Sequence, residues 1–161
     1  MAQSLTADQI TTAILESANN FTKAIACEPS EAKASDIAAL TPYGKDDDGF
    51  PTGKFAVFWR GDLGCSGGSG SSRPHVLMVQ QAPFDTFVVT PNRSEPVIQF
   101  PTPAESIFRI VGNTKSSVVL EGGTYGSGSI HCCQIKIRFT MKLNEDGNWA
   151  LANKREIGRI D

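Results

Sequence analysis

The apolar residues of this chain change their period once, and that change constrains the fold more than any other feature. Before Pro42, Ile10, Ile14, Ala18, Phe21 and Ile25 recur at spacings of three and four. That repeat lays one apolar stripe along a helix. Thr6-Ala7-Asp8-Gln9 has the form of a capping box, and Leu5 with Ile10 forms a hydrophobic staple. Pro29 stops the helix, which is expected over about 7–27. The Ala-rich stretch 30–39 reads as a second, shorter helix halted by Pro42.

Beyond Pro42 the helical repeat disappears. A polar turn spans 45–53. It is followed by the strand-like runs KFAVFWR, HVLMVQQ, DTFVVTP, EPVIQF, SIFRIVG, SSVVLEG, CQIKIRFTMKL and NWALANKREI. Gly, Pro, Asn and Ser clusters separate them at short intervals, the pattern of an antiparallel meander. No helix-length segment intervenes, which argues against parallel crossovers. The expected fold is therefore α+β in one domain over 1–161. A long N-terminal helix packs on a curved antiparallel sheet of about six to eight strands, with the β-rich region over about 53–160.

The run from Cys133 has the most regular alternation. Cys133, Ile135, Ile137, Phe139, Met141 and Leu143 interleave with Gln134, Lys136, Arg138, Thr140 and Lys142. One face is apolar and the other wet. Asn144 to Gly147 then turns the chain into Trp149. The apolar face is the expected partner of the helix stripe. The wet face, with Lys136, Arg138 and Lys142, and Lys154, Arg155 and Arg159 on the last segment, make a candidate basic face for an acidic partner protein or a polyanion.

The chain has 161 residues and a net charge of −2, with both signs interspersed. Nucleic-acid binders usually carry a basic stripe, so no nucleic-acid partner is expected. Its longest apolar runs fall far short of the ~20 residues that span a bilayer, so no membrane span is expected. The four cysteines, Cys27, Cys65, Cys132 and Cys133, are an even number and suit an oxidising compartment. The opening residues have no basic region followed by an apolar one. The chain thus reads as a mature periplasmic or secreted protein whose signal peptide has been removed.

Adjacent strand residues point to opposite faces, so Cys132 and Cys133 are expected to find separate partners. The expected bridges are Cys27 with Cys133 and Cys65 with Cys132, or the exchanged pairing.

Chemistry-bearing motifs are sparse. His75 and His131 are the only histidines. A cysteine nucleophile would need a free thiol, which paired cysteines do not leave. His131, Cys132 and Cys133 with Cys65 and His75 lack zinc-site spacing. Asp46 and Asp48 before Gly49 match only a fragment of a calcium loop, a weak calcium candidate. No serine sits in a nucleophile elbow. No catalytic set, resident metal or cofactor is expected.

The stretch from Phe58 to His75 contains Arg60-Gly61-Asp62, Cys65 and a glycine-serine run. It leads into a strand and carries no lysine, unlike a phosphate loop. It reads as a long surface loop tethered at Cys65, with Arg60, Asp62, Gly67, Gly68, Ser69 and Arg73 as a candidate binding loop.

Tyr125-Gly126, the Cys132-Cys133 pair, the alternating strand and Gly147-Asn148-Trp149 together resemble small exported bacterial proteins of unknown function. The W-R-G-D and C-x-G-G-S-G elements, at 59–62 and 65–70, are similar to theirs too. The resemblance covers roughly 55–152. In that group the cysteine pair is usually followed by Pro, where this chain has Gln134. The resemblance implies export and disulfides, and no activity.

Three functions fit such a chain. The favoured one is an extracytoplasmic protein-binding module, an inhibitor or immunity-type protein. The others are a structural subunit of an envelope secretion or conjugation assembly, and a small-ligand carrier or small enzyme with a pocket between helix and sheet.

Overall fold

The computed structural model describes residues 4–67, 72–128 and 131–160. Helix α1 spans Ala7–Ile25 and opens with the capping box: the Thr6 hydroxyl accepts from the Gln9 amide, and the Gln9 side chain accepts from the Thr6 amide. The helix stops at Ile25, earlier than expected, because Ala26 turns extended. Ala26–Cys27 form β1, paired with Leu63 and Asp62.

The first sheet contains β1, β2 (Ile37–Thr41), β3 (Lys54–Leu63), β4 (Ser72–Ala82) and β5 (Thr86–Val89). β1 and β2 pair with one edge of β3, β4 with the other, and β5 with β4, all antiparallel. The second sheet is the meander β6 (Ser106–Asn113), β7 (Ser117–Thr124), β8 (Ile135–Leu143) and β9 (Trp149–Arg159). Among the described residues, then, the expected single meander is two open sheets of nine strands.

The first sheet is buried on both sides. Phe55, Val57, Trp59, Leu77, Val79 and Phe87 face the helix, where Ile14 and Ala18 are buried against them. Ala56, Phe58, Val76 and Met78 face the second sheet and meet Val118, Leu120, Ile137, Phe139, Met141 and Trp149. The layers run helix, sheet, sheet. This corrects one expectation: the apolar face of β8 does not receive the helix. It packs on the reverse of the first sheet, because the middle sheet has two apolar faces to cover. The unbroken runs in β3 and β4 are the signature of strands covered on both sides.

Two other segments differ from expectation. Residues 30–39 form no second α-helix. A single 3-10 turn over Ala34–Asp36 leads into β2, whose Ala38 and Leu40 alternate into the core. The open edge of β3 supplies backbone partners that an isolated short helix would lack. The segment 95–100 is irregular rather than a strand. It follows the free edge of β4 through side chains: Ser94 Oγ accepts from Met78 N at 2.9 Å, and Glu95 Oε1 from Val76 N at 2.9 Å. Ile98 and Phe100 then plug the inter-sheet core.

The cysteines pair differently from both expected schemes. Cys27 bonds Cys65, with Cα atoms 5.0 Å apart, and Cys132 bonds its neighbour Cys133. β1 pairs with the end of β3, so Cys27 lies opposite Asp62, three residues from Cys65. Cys132 and Cys133 precede β8 rather than lying within it. The face rule for a regular strand therefore does not apply to them.

Candidate functional site

The outer face of the second sheet carries one continuous cross-strand row. Arg109 on β6 stands opposite Glu121 on β7, Glu121 opposite Arg138 on β8, and Arg138 opposite Arg155 on β9. Opposed residues in an antiparallel pair project to the same side, so these four share the outer face. Lys136 projects to that side two residues along β8.

Glu121 is 1% exposed although it lies on the outer face. The cationic side chains cover it. Arg109 Nε donates to Oε1 at 2.6 Å, Arg138 Nε to Oε2 at 3.0 Å, and Lys136 Nζ lies 3.8 Å from Oε1. The bonds from Arg109 and then Arg138 hold the Glu121 carboxyl down at about 2, against an ordinary 4.5, although burial pushes it upward. The carboxylate thus stays ionised and fixes two guanidiniums by their inner nitrogens. Their remaining N–H groups, with Lys136 and Arg155, leave the face cationic: four positive side chains around one negative one.

Beside this row lies an apolar platform. Gly123 follows Glu121 by two residues, about 7 Å along the strand. Its backbone is crossed from above. A Cβ there would come within 2.6 Å of Cys133 Cβ and 2.7 Å of Phe108 Cζ. Only glycine lets the Cys132–Cys133 bridge and the Phe108 ring close over the sheet. Phe108 is the extra residue of a bulge between Ile107 and Arg109, and its ring remains half-exposed. Bulges re-aim side chains in this way.

Of the expected basic face, Lys136 and Arg138 join the Glu121 cluster. Lys142 does not, since four residues of strand place it about 13 Å away.

The expected long loop is shorter than read: Arg60, Asp62 and Arg73 lie on the paired strands β3 and β4, and their side chains are engaged within the chain. Arg60 donates to the carbonyls of Glu105 at 2.7 Å and Ser72 at 3.2 Å. Asp62 accepts from the amides of Ser66 at 3.0 Å and Gly67 at 2.8 Å. Arg73 lies 3.5 Å from Glu105. Gly68 and Ser69 lie outside the described residues. Within the Arg-Gly-Asp tripeptide, therefore, Arg60 ties the hairpin to residue 105 and Asp62 braces the turn that follows. The calcium candidates behave alike: Asp46 Oδ1 accepts from the amides of Asp48 at 3.0 Å and Phe50 at 2.9 Å, which closes a turn. Among the described residues, no three His, Cys, Asp or Glu side chains converge as metal ligands.

His75 is buried beneath Trp59. Its Nδ1 lies 3.1 Å from Glu95 Oε2 and its Nε2 lies 3.1 Å from the Gly61 carbonyl. The ring thus links the segment at Glu95 to the Gly61 carbonyl on β3.

Sequence reasoning missed Glu121, Arg109, Phe108 and Gly123. The signal for Glu121 was a carboxylate in the wet register of SSVVLEG. Its neighbours required the strand register, which two bulges in β6 shift.

Fold and face together define a class: a helix-backed pair of antiparallel sheets, tied by disulfides, with a cationic outer surface and no assembled catalytic set among the described residues. Comparison with models of protein families, with curated proteins and with solved structures finds no match. No helix among the described residues is long and apolar enough to cross a membrane.

Proposed function

We propose that this chain is an extracytoplasmic protein-binding module, of the inhibitor or immunity type, that grips an acidic patch of a partner protein with the outer face of β6–β9. The observation that carries this reading is the row Arg109–Glu121–Arg138–Arg155. Like charges placed directly opposite, as Arg138 and Arg155 are, destabilise a sheet. Glu121 offsets Arg138, whereas Arg155 has no acidic side chain within ion-pair distance among the described residues, and an external anion would supply one. Glu121 pre-orients two of the guanidiniums, which lowers the ordering cost of binding. Phe108 adds an apolar contact at the edge of the charged field, the usual mixture at a hot spot. The Cys27–Cys65 bridge supports an oxidising compartment.

The test immobilises the oxidised chain and its Arg155→Glu variant and exposes both to the extracytoplasmic proteins of the source. Arg155 is exposed, so the variant keeps the fold. A partner retained by the wild-type bait, lost from the variant and released at high salt supports the reading. Baits that capture the same proteins, or capture indifferent to salt, refute it.

A further inference from the structure

The two sheets part at the end of the core that lies below Met78. On the inner face of β3 the residues run Phe58, Ala56, Lys54; on β4 they run Val76, Met78, Gln80. Lys54 and Gln80 are direct cross-strand partners. The pleat that delivers core residues thus delivers a cation and an amide in its last row, still aimed at the opposite sheet. Between this row and the ends of β7 and β8 lies a cleft of about 530 Å³, floored by Met78 and Leu143. That volume falls within the range of small-ligand sites, ~300–1,000 Å³.

The donors there are oriented. Gln80 Oε1 accepts from Thr90 Oγ1 at 3.1 Å, which fixes the amide, and both side chains line the cleft. Arg93 reaches the cleft from the turn after β5, its stem lying across Gly147 of the β8–β9 turn. A Cβ at Gly147, whose φ is +93°, would come within 2.6 Å of Arg93 Cδ. Arg93 therefore spans the two sheets at the mouth. Its charge also reaches Asp146, whose carboxyl the Asn148 hydrogen bonds and Arg93 together hold low. Neither Lys54 nor Arg93 has an acidic side chain within ion-pair distance among the described residues, and Lys54 is the cation directly beside the Gln80 amide. Glu145 on the rim is the one carboxylate lining the cleft.

We infer that this inter-sheet cleft binds a small amphiphilic anion, an organic carboxylate whose head meets Lys54 and the Gln80 amide and whose hydrocarbon body lies on Met78 and Leu143. The site is separate from the β6–β9 outer face and does not depend on its role. It also differs in place from a pocket between helix and sheet, a layer filled by Ile14, Ala18, Phe55 and Val57.

The test titrates octanoate into the intact, oxidised chain while the Met78 methyl and Gln80 side-chain amide signals are followed by NMR. Octanol and inorganic phosphate serve as probes of body and head alone. A ligand of this size is expected to saturate both signals at roughly millimolar concentration. Lys54→Met should weaken octanoate about fivefold or more and leave octanol binding unchanged. Lys54 is exposed at a strand end, so the variant folds. Octanol or phosphate binding as tightly as octanoate, an unchanged affinity in Lys54→Met, or no saturable shift at ~10 mM overturns the inference.

Discussion

Arg138 stands directly opposite Glu121 and donates to its Oε2 twice, from Nε at 3.0 Å and from a terminal nitrogen at 2.5 Å. With Arg109 on the other flank, this holds the folded carboxyl at about 2, below the ordinary 4.5. A depressed carboxyl stabilises the fold above its unfolded value and loses that contribution as pH falls. Acid titration of stability, followed by circular dichroism, should therefore show a loss between about pH 4.5 and 2 that Glu121→Gln removes. At neutral pH, Glu121→Gln should cost about 1.5–3 kcal/mol, the value of hydrogen bonds to a charged group. The arginines it releases are already in contact with water, so no buried charge is orphaned.

Cys27 and Cys65 enclose a loop with a sequence separation of 38. In the chain-entropy treatment such a closure contributes about 4 kcal/mol. The bond between Cys132 and Cys133 joins adjacent residues and closes almost no chain. Denaturant unfolding should show the double variant Cys27→Ser/Cys65→Ser losing about 4 kcal/mol. Cys132→Ser/Cys133→Ser should lose much less, and its effect should fall on the outer-face platform. Equal losses from the two pairs would contradict the argument.

Phe84 sits at the tip of the β4–β5 hairpin with φ +63° and is 99% exposed. Bulky residues rarely adopt that region. The turn is held on both sides: Tyr43 Oη donates to Asp85 Oδ1 at 2.7 Å, and Thr86 Oγ1 to the Pro83 carbonyl at 2.8 Å. The strain has no compensating burial. Phe84→Asn should raise stability by about 0.5–1 kcal/mol, measured as an increase in Tm. A decrease would mean that the ring contributes to the fold.

Gly123 lies beneath the Cys133 and Phe108 side chains. Gly123→Ala should destabilise by about 1–3 kcal/mol, the range for forced overpacking. The loss should shrink when combined with Phe108→Ala, which clears one of the two obstructing groups. Additive losses in this double-mutant cycle would show that Phe108 does not share the site.

The helix was legible almost to its last residue, since capping box, staple and apolar stripe are all encoded within about five residues of one another. The strands were legible as runs, and the Asn144–Gly147 turn forms as read, with Gly147 N bonded to Asn144 O. What the runs concealed was their grouping. FAVFW and HVLMV do not alternate because both faces are covered, yet no residue in them states by what. The cysteine pairing failed for a similar reason. It depended on β1 docking on β3 and on Cys132 and Cys133 lying outside any regular strand, which are matters of long-range register.

The candidate site divides the same way. Lys136 and Arg138 were found from alternation alone, because a period of two assigns each residue to a face. Arg109 and Glu121 were not, because a cross-strand row joins residues up to 46 positions apart in the chain, and the bulge at Phe108 shifts one of its registers. Local sequence by itself determined the N-terminal helix, most of the strands and the wet side of those that alternate; it did not determine β2 or the irregular segment 95–100. Only the tertiary structure decided which wet residues share a face. Strand register and sheet assignment follow from the joint burial of all the apolar surfaces, a property of the whole chain.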